Sequence, residues 1–307
     1  MLNIIINLIF ILFMPFLFLG LINRVKSFWA GRQGPPLLQP FFDFLRLLKK
    51  GVVISRTTTA LFYWAPLAAF AAVFAASFLT PLAGGHSIIS FEGDFIVFMY
   101  LLASSKFVNI ASAMETGSSF EGMGAAREAA FTSLVEPAFF VLMGTVTAVS
   151  GVSGFSGIKG LINTGTPAAV LAAALCAAAL IIMLLTEGSR VPVDDPNTHL
   201  ELTMIHEVMV LDNSGPDLAV INFTAGLKMF LIAAILANFL TPAGLSPVMS
   251  GLLFTAIILS AAIAIGCIES LMARLRMSHV PQFVLFMLSI SVVAFSIVFL
   301  MMNGGLK

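Results

Sequence analysis

Eight stretches of the chain are almost free of charge and long enough to cross a bilayer: Leu2–Ile22, Ala60–Leu82, Phe95–Ala113, Ala129–Val152, Ala168–Leu185, Ala219–Leu240, Val248–Ile268 and Val280–Met302. A helix rises ~1.5 Å per residue, so about 20 apolar residues span ~30 Å of hydrocarbon. The runs are continuous and rich in Phe, Leu, Ala and Met, which predicts helices. A closed membrane barrel would show ~10-residue alternating segments instead. The first run, MLNIIINLIF onward, has no basic segment before it and reads as a retained helix. No internal repeat or low-complexity tract interrupts the pattern. The expected fold is an all-α, polytopic membrane helix bundle, with residues 1–307 as one membrane domain.

Residues Leu37–Lys50 differ: too short and too polar to span, they place Phe41, Phe42, Leu45, Leu47 and Leu48 near helical spacing, with Arg46, Lys49 and Lys50 elsewhere. That pattern predicts an amphipathic helix over 37–50, lying in the membrane interface. Pro35, Pro36 and Pro40 fix where it starts.

Composition reinforces the membrane reading. Hydrophobic residues make up 59% of 307 positions and charged residues 10%, against roughly a quarter charged in soluble domains. Acids and bases balance at 15 each, so no bulk field argues for nucleic acid. Cys176 and Cys267 both lie in apolar runs and cannot by themselves supply a cluster or zinc site. No nucleophile elbow, phosphate loop or HExxH motif is present, which argues against an independent hydrolase or nucleotide-driven pump.

The basic residues orient the chain. The first loop holds Arg24, Lys26, Arg32, Arg46, Lys49, Lys50 and Arg56, and alternate loops on that side add Arg127, Arg190, Arg274 and Arg276. The opposite side holds only Lys159 and Lys307, so both termini are expected on the non-cytoplasmic side.

The remaining charges are where chemistry is expected. Lys106, Glu136 and Lys228 fall inside apolar runs, and Glu187 and Glu269 at cytoplasmic ends. A charge at a helix centre costs about 2.5–3.5 kcal/mol on insertion scales, so it normally faces protein or water. Ion pairing or snorkelling to the interface is the alternative for Glu187 and Glu269, while the deeper three suit an internal polar pathway. Burial disfavours the charged form of either type of group, as a proton relay requires. A second concentration is the loop 187–217, which carries Glu187, Asp194, Asp195, Glu201, Glu207, Asp212 and Asp217, seven of the 15 acids. Its HLELTMIHEVMVL segment is half apolar and predicts a packed amphipathic helix covered by a partner protein.

Three segments resemble the complex I subunit 1 family: RQGPPLLQPFFDFLRLLKKG, ETGSSFEGMGAAREAAFTSLVEPAFF and EGSRVPVDDPNTHLEL. The TGS, AREA and VEP elements, Lys228 after Leu227, and ESLMARLR at Glu269–Arg276 are similar to the branch that anchors formate hydrogenlyase and other group 4 energy-converting nickel–iron hydrogenases. The resemblance implies a non-catalytic anchor in the inner (cytoplasmic) membrane, binding no cofactor itself. Its implied partners are hydrogenase-type large and small subunits, an iron–sulfur protein and an antiporter-like membrane subunit, with iron–sulfur clusters and a nickel–iron centre on those partners. It further implies a relay through Lys106, Glu136, Glu187, Lys228 and Glu269. Docking of the peripheral arm is implied for Glu115, Arg127, Glu128, Arg190, Asp194, Asp195, His199, Glu201, Glu207 and Asp212. Where quinone-reducing members carry a PFDLPEAE-type run, this chain has PVDDPNTH; Asn197 and His199 replace acids and Val193 an aromatic, which argues against quinone binding. A quinone-reducing subunit and a stand-alone secondary transporter are the alternatives; the latter would commonly show an inverted repeat.

Overall fold

Apolar runs without alternation fold as expected into helices. The computed structural model describes residues 2–55, 57–83, 85–160, 167–195 and 204–303. It is 77% helical, and no strand occurs among the described residues. The helices are α1 (Leu2–Trp29), α2 (Gln39–Leu48), α3 (Ala60–Leu79), α4 (Asp94–Glu115), α5 (Ser119–Ser150), α6 (Pro167–Glu187), α7 (His206–Met209), α8 (Gly215–Leu240), α9 (Pro247–Leu271) and α10 (Val280–Met302). All but α2 and α7 are long and apolar enough to cross a membrane.

Hydropathy placed some ends too tightly. α1 continues to Trp29, and α5 begins at Ser119 rather than near Ala129. A charge ends a hydropathy run, but not a helix whose charges meet protein partners, and α5 carries Glu121, Arg127 and Glu128 into such contacts.

α8 is the hub. Every residue from Gly226 to Phe239 is buried, as befits a helix apolar all round. α1, α2, α3, α6 and α9 surround it, and α10 closes the far side against α5 and α6. The interfacial α2 has no fully buried residue. Its Phe41 and Phe44 meet Phe16 of α1 at 5.3 and 5.6 Å between ring centroids, and Phe44 meets Phe223 of α8 at 5.7 Å. Phe42, Leu45 and Leu48 stay exposed on α2, so it has one apolar side for the bundle and another outward.

Three helices contain an interior proline: Pro15 in α1, Pro66 in α3 and Pro137 in α5. Each removes a helical hydrogen bond, tolerable at membrane depth only where protein or a cavity is adjacent. All three line cavities of this bundle.

Candidate functional site

α6 ends on Glu187, whose side chain is wholly buried at the meeting of α4, α5 and α8. Lys106 of α4 donates from Nζ to Glu187 Oε1 at 2.5 Å and to Thr132 Oγ1 of α5 at 3.1 Å. Glu128 Oε1 of α5 lies 3.7 Å from the same ammonium. Lys228 of α8 places its Nζ 3.7 Å from Glu187 Oε2. Two lysines and two carboxylates cancel, and this compensation makes their burial tolerable. The couplings are unequal. At 3.7 Å the Lys228 pair is too long for a hydrogen bond, and Glu187 Oε2 has no hydrogen-bond partner.

The cluster is flanked on two sides. Toward the α2 end lies a chamber of about 240 Å³, walled by Phe16 and Leu19 of α1, Asp43 and Phe44 of α2, Phe223 of α8 and the Gly188–Asp194 turn, with His206 and Glu207. A water-sized cavity of about 10 Å³ shares Ser189 and Asp194 with this chamber, and Lys106, Glu128 and Thr132 with the cluster. On the other side, Lys106 and Thr132 border an open groove between α4 and α5 that contains the half-buried Glu136. Polar groups thus run in series from chamber to cluster to groove.

Asp194 is the clasp of the chamber loop. Its Oδ2 accepts the Ile205 and His206 N–H groups, both at 3.1 Å, and its Oδ1 lies 3.0 Å from Arg274 Nη2. Arg127 donates from Nη1 to the Met204 carbonyl at 2.9 Å. Gly124 lets α7 lie against α5: a Cβ there would come within 2.9 Å of the Ile205 carbonyl oxygen and against the Val208 side chain.

Of the five relay residues expected from sequence, four converge: Lys106, Glu187 and Lys228 in ion pairs, and Glu136 in the adjoining groove. Glu269 belongs elsewhere. Its Oε2 is 2.6 Å from Lys26 Nζ of α1 and its Oε1 3.3 Å from Arg190 Nη1, so it ties α9 to α1 and to the chamber wall. Glu128, grouped with docking on sequence, turns inward to Lys106. Glu115 also has a local task, since its Oε1 accepts the Thr59 N–H at 2.6 Å ahead of α3. Arg190 and Glu207 line the chamber; Asp212 is exposed, Asp195 follows the clasp, and His199 and Glu201 lie outside the described residues.

Glu121, given no role on sequence, is fully buried and accepts the Asp212 N–H at 3.0 Å. A signal existed: Glu121, Glu128 and Glu136 recur at seven and eight residues, which puts them on one face of a helix.

A family model described as NADH dehydrogenase matches residues 2–300. Among characterised proteins, the chain is 27% identical to hydrogenase-4 component C of Escherichia coli (strain K12) over 231 residues, 74% of this chain and 71% of the relative. It is 25% identical to formate hydrogenlyase subunit 4 of the same organism over 272 residues, 86% of this chain and 87% of the relative. A chain in the structure of the archaeal membrane-bound sulfane sulfur reductase, a respiratory membrane complex, shares the fold with a TM-score of 0.82 at 18% identity, covering 97% of this chain and 98% of that one.

Proposed function

The chain belongs to the NADH dehydrogenase family, in its subunit 1-like form, and from that premise we propose that it is the membrane anchor and ion-coupling subunit of a group 4 hydrogenase-type complex. The α2 end, with its basic residues and the chamber, faces the cytoplasm, and both termini lie on the other side. The Asp194–Glu207 loop sits beneath a peripheral arm that carries the iron–sulfur and nickel–iron chemistry. An event there alters the proton occupancy of the chamber, and the Lys106–Glu187–Lys228–Glu128 cluster passes the change to Glu136, in a groove open toward an antiporter-like neighbour.

The single observation that carries this reading is the buried, charge-balanced cluster that borders both a small cavity shared with the chamber and an open groove holding Glu136. A merely structural ion pair needs no such approaches. The names of the two relatives, a hydrogenase component and a formate hydrogenlyase subunit, support the kind of complex. The test is to solubilise membranes gently, isolate this chain and identify co-purifying subunits and metals. Nickel and iron with an antiporter-like subunit are expected; isolation of the chain alone overturns the reading.

One observation favours a second reading, a quinone-reducing subunit. The chamber joins apolar walls at Phe16, Phe44 and Phe223 to polar groups at Arg190 and His206, and so fits an amphiphile's head. Iron without nickel, with quinone reduction, would select it.

A further inference from the structure

The path from Asp194 to Glu136 does not use the imidazole of His206, which also lines the chamber. His206, first residue of α7, is fixed through its backbone N–H, which donates to Asp194 Oδ2 at 3.1 Å. It borders the chamber and also a second small cavity, of about 10 Å³, against α3, α4 and α8. There it is joined by Asn109 and Ser112 of α4 and by Asn213, opposite the apolar Pro66 and Ile221. Asn213 is buried, and its Nδ2 has no hydrogen-bond partner. A buried water requires room for about one water-sized sphere and ~2–4 polar partners. The cavity is about that size, Asn109, Ser112, His206 and Asn213 line it, and an orphaned amide is the kind of group that such a water satisfies.

We propose that one water, held by Asn213 Nδ2, Ser112 and one ring nitrogen of His206, fixes the imidazole so that its other nitrogen exchanges protons with the chamber. The proposal rests on the reading of the chamber as the redox-facing end of the relay. In each exchange the free nitrogen takes one proton from water in the chamber and His206 becomes imidazolium; the proton then passes to Asp43 or Glu207 of the chamber wall, which it neutralises, and leaves the wall when that carboxyl group gives it up to water. No electrons move, and the charge of the wall rises and falls by one. Imidazole suits this task because one ring nitrogen can take up a proton while the other stays hydrogen-bonded. Among the described residues, the charged groups around it are Asp43 of α2, Arg190 and Asp194 of the loop, and neighbouring Glu207. From α5, Arg127 and Glu121 are engaged by the Met204 carbonyl and the Asp212 N–H. α1, α3, α4 and α8 bring only uncharged groups to these two cavities: Asn23, Pro66, Asn109, Ser112 and Asn222 among them.

The experiment uses membrane vesicles carrying the whole complex, with redox turnover measured from pH 5 to 9 and partner subunits quantified in the same preparations. His206→Gln is expected to abolish one limb of the pH profile and to lower turnover about a hundredfold, the lower end of what a positioned proton donor contributes. Ser112→Val, which fills the water-sized cavity, is expected to keep the limb and move its midpoint by half a pH unit or more. A wild-type profile in assembled His206→Gln overturns the proposal. Should His206→Gln fail to assemble, an unmoved midpoint in Ser112→Val overturns it equally. Loss of partner subunits in the wild type would instead strike the proposed function, so the two failures are distinguishable.

Discussion

Lys228 approaches Glu187 from the opposite oxygen to Lys106, at 3.7 Å from Oε2 against 2.5 Å from Oε1. One carboxylate therefore faces two ammonium groups, one hydrogen-bonded and one only electrostatically paired. In the proposed relay, Glu187 is therefore the carboxylate on which both lysines bear.

Glu187→Gln leaves two buried lysines near a single carboxylate, Glu128. Removing one partner of a buried pair costs roughly 3–5 kcal/mol, so the purified complex should melt markedly earlier. Adding Lys228→Met should restore much of that stability without restoring ion translocation. Thermal unfolding of single and double variants checks the first part, and vesicle acidification the second.

Glu136→Gln should behave differently. Glu136 is half-buried beside an open groove, and no salt bridge within 4.0 Å holds it. Its loss should change stability by only about 0.5 kcal/mol, in the range of substitutions away from structural networks. Assembly and redox turnover should persist while ions moved per turnover fall. Normal pumping in that variant would remove Glu136 from the relay.

Glu269→Gln tests the separation of the two charge clusters. It unpairs Lys26 and Arg190 and loosens α9 from α1. Stability should drop by about 3 kcal/mol, near the lower bound for breaking a buried pair. Ions moved per turnover should stay at the wild-type ratio in whatever fraction assembles. A lowered ratio at normal assembly would return Glu269 to the relay.

Asp194→Ala removes the acceptor for Ile205 and His206 and the partner of Arg274. The loop under the peripheral arm should lose its shape and the arm should dissociate. Pull-down of partner subunits reads this directly; an arm bound at wild-type level would leave the clasp with no docking consequence.

Much of this was legible in the residues themselves. The eight helices follow from hydropathy, and α2 from the near-helical spacing of Phe41, Phe42, Leu45, Leu47 and Leu48 against charge. Lys106, Lys228 and Glu136 stood out because a charge inside an apolar run has few explanations. Two side chains found their partners only through packing. Glu128 lies in the first third of α5 and Glu269 near the end of α9, and the packing of α5 on α4 and of α9 on α1 decided which way each side chain faces.

Local pattern thus determined what the chain is made of: which segments enter the membrane, and which charges must find partners there, because burial and helical periodicity act over a few residues. Tertiary structure alone decided which charges meet. Lys106 and Glu187 are 81 positions apart, and their contact depends on how α4, α5, α6 and α8 pack, since hydrogen bonds and close ion pairs depend on separation in space and take no account of distance along the chain.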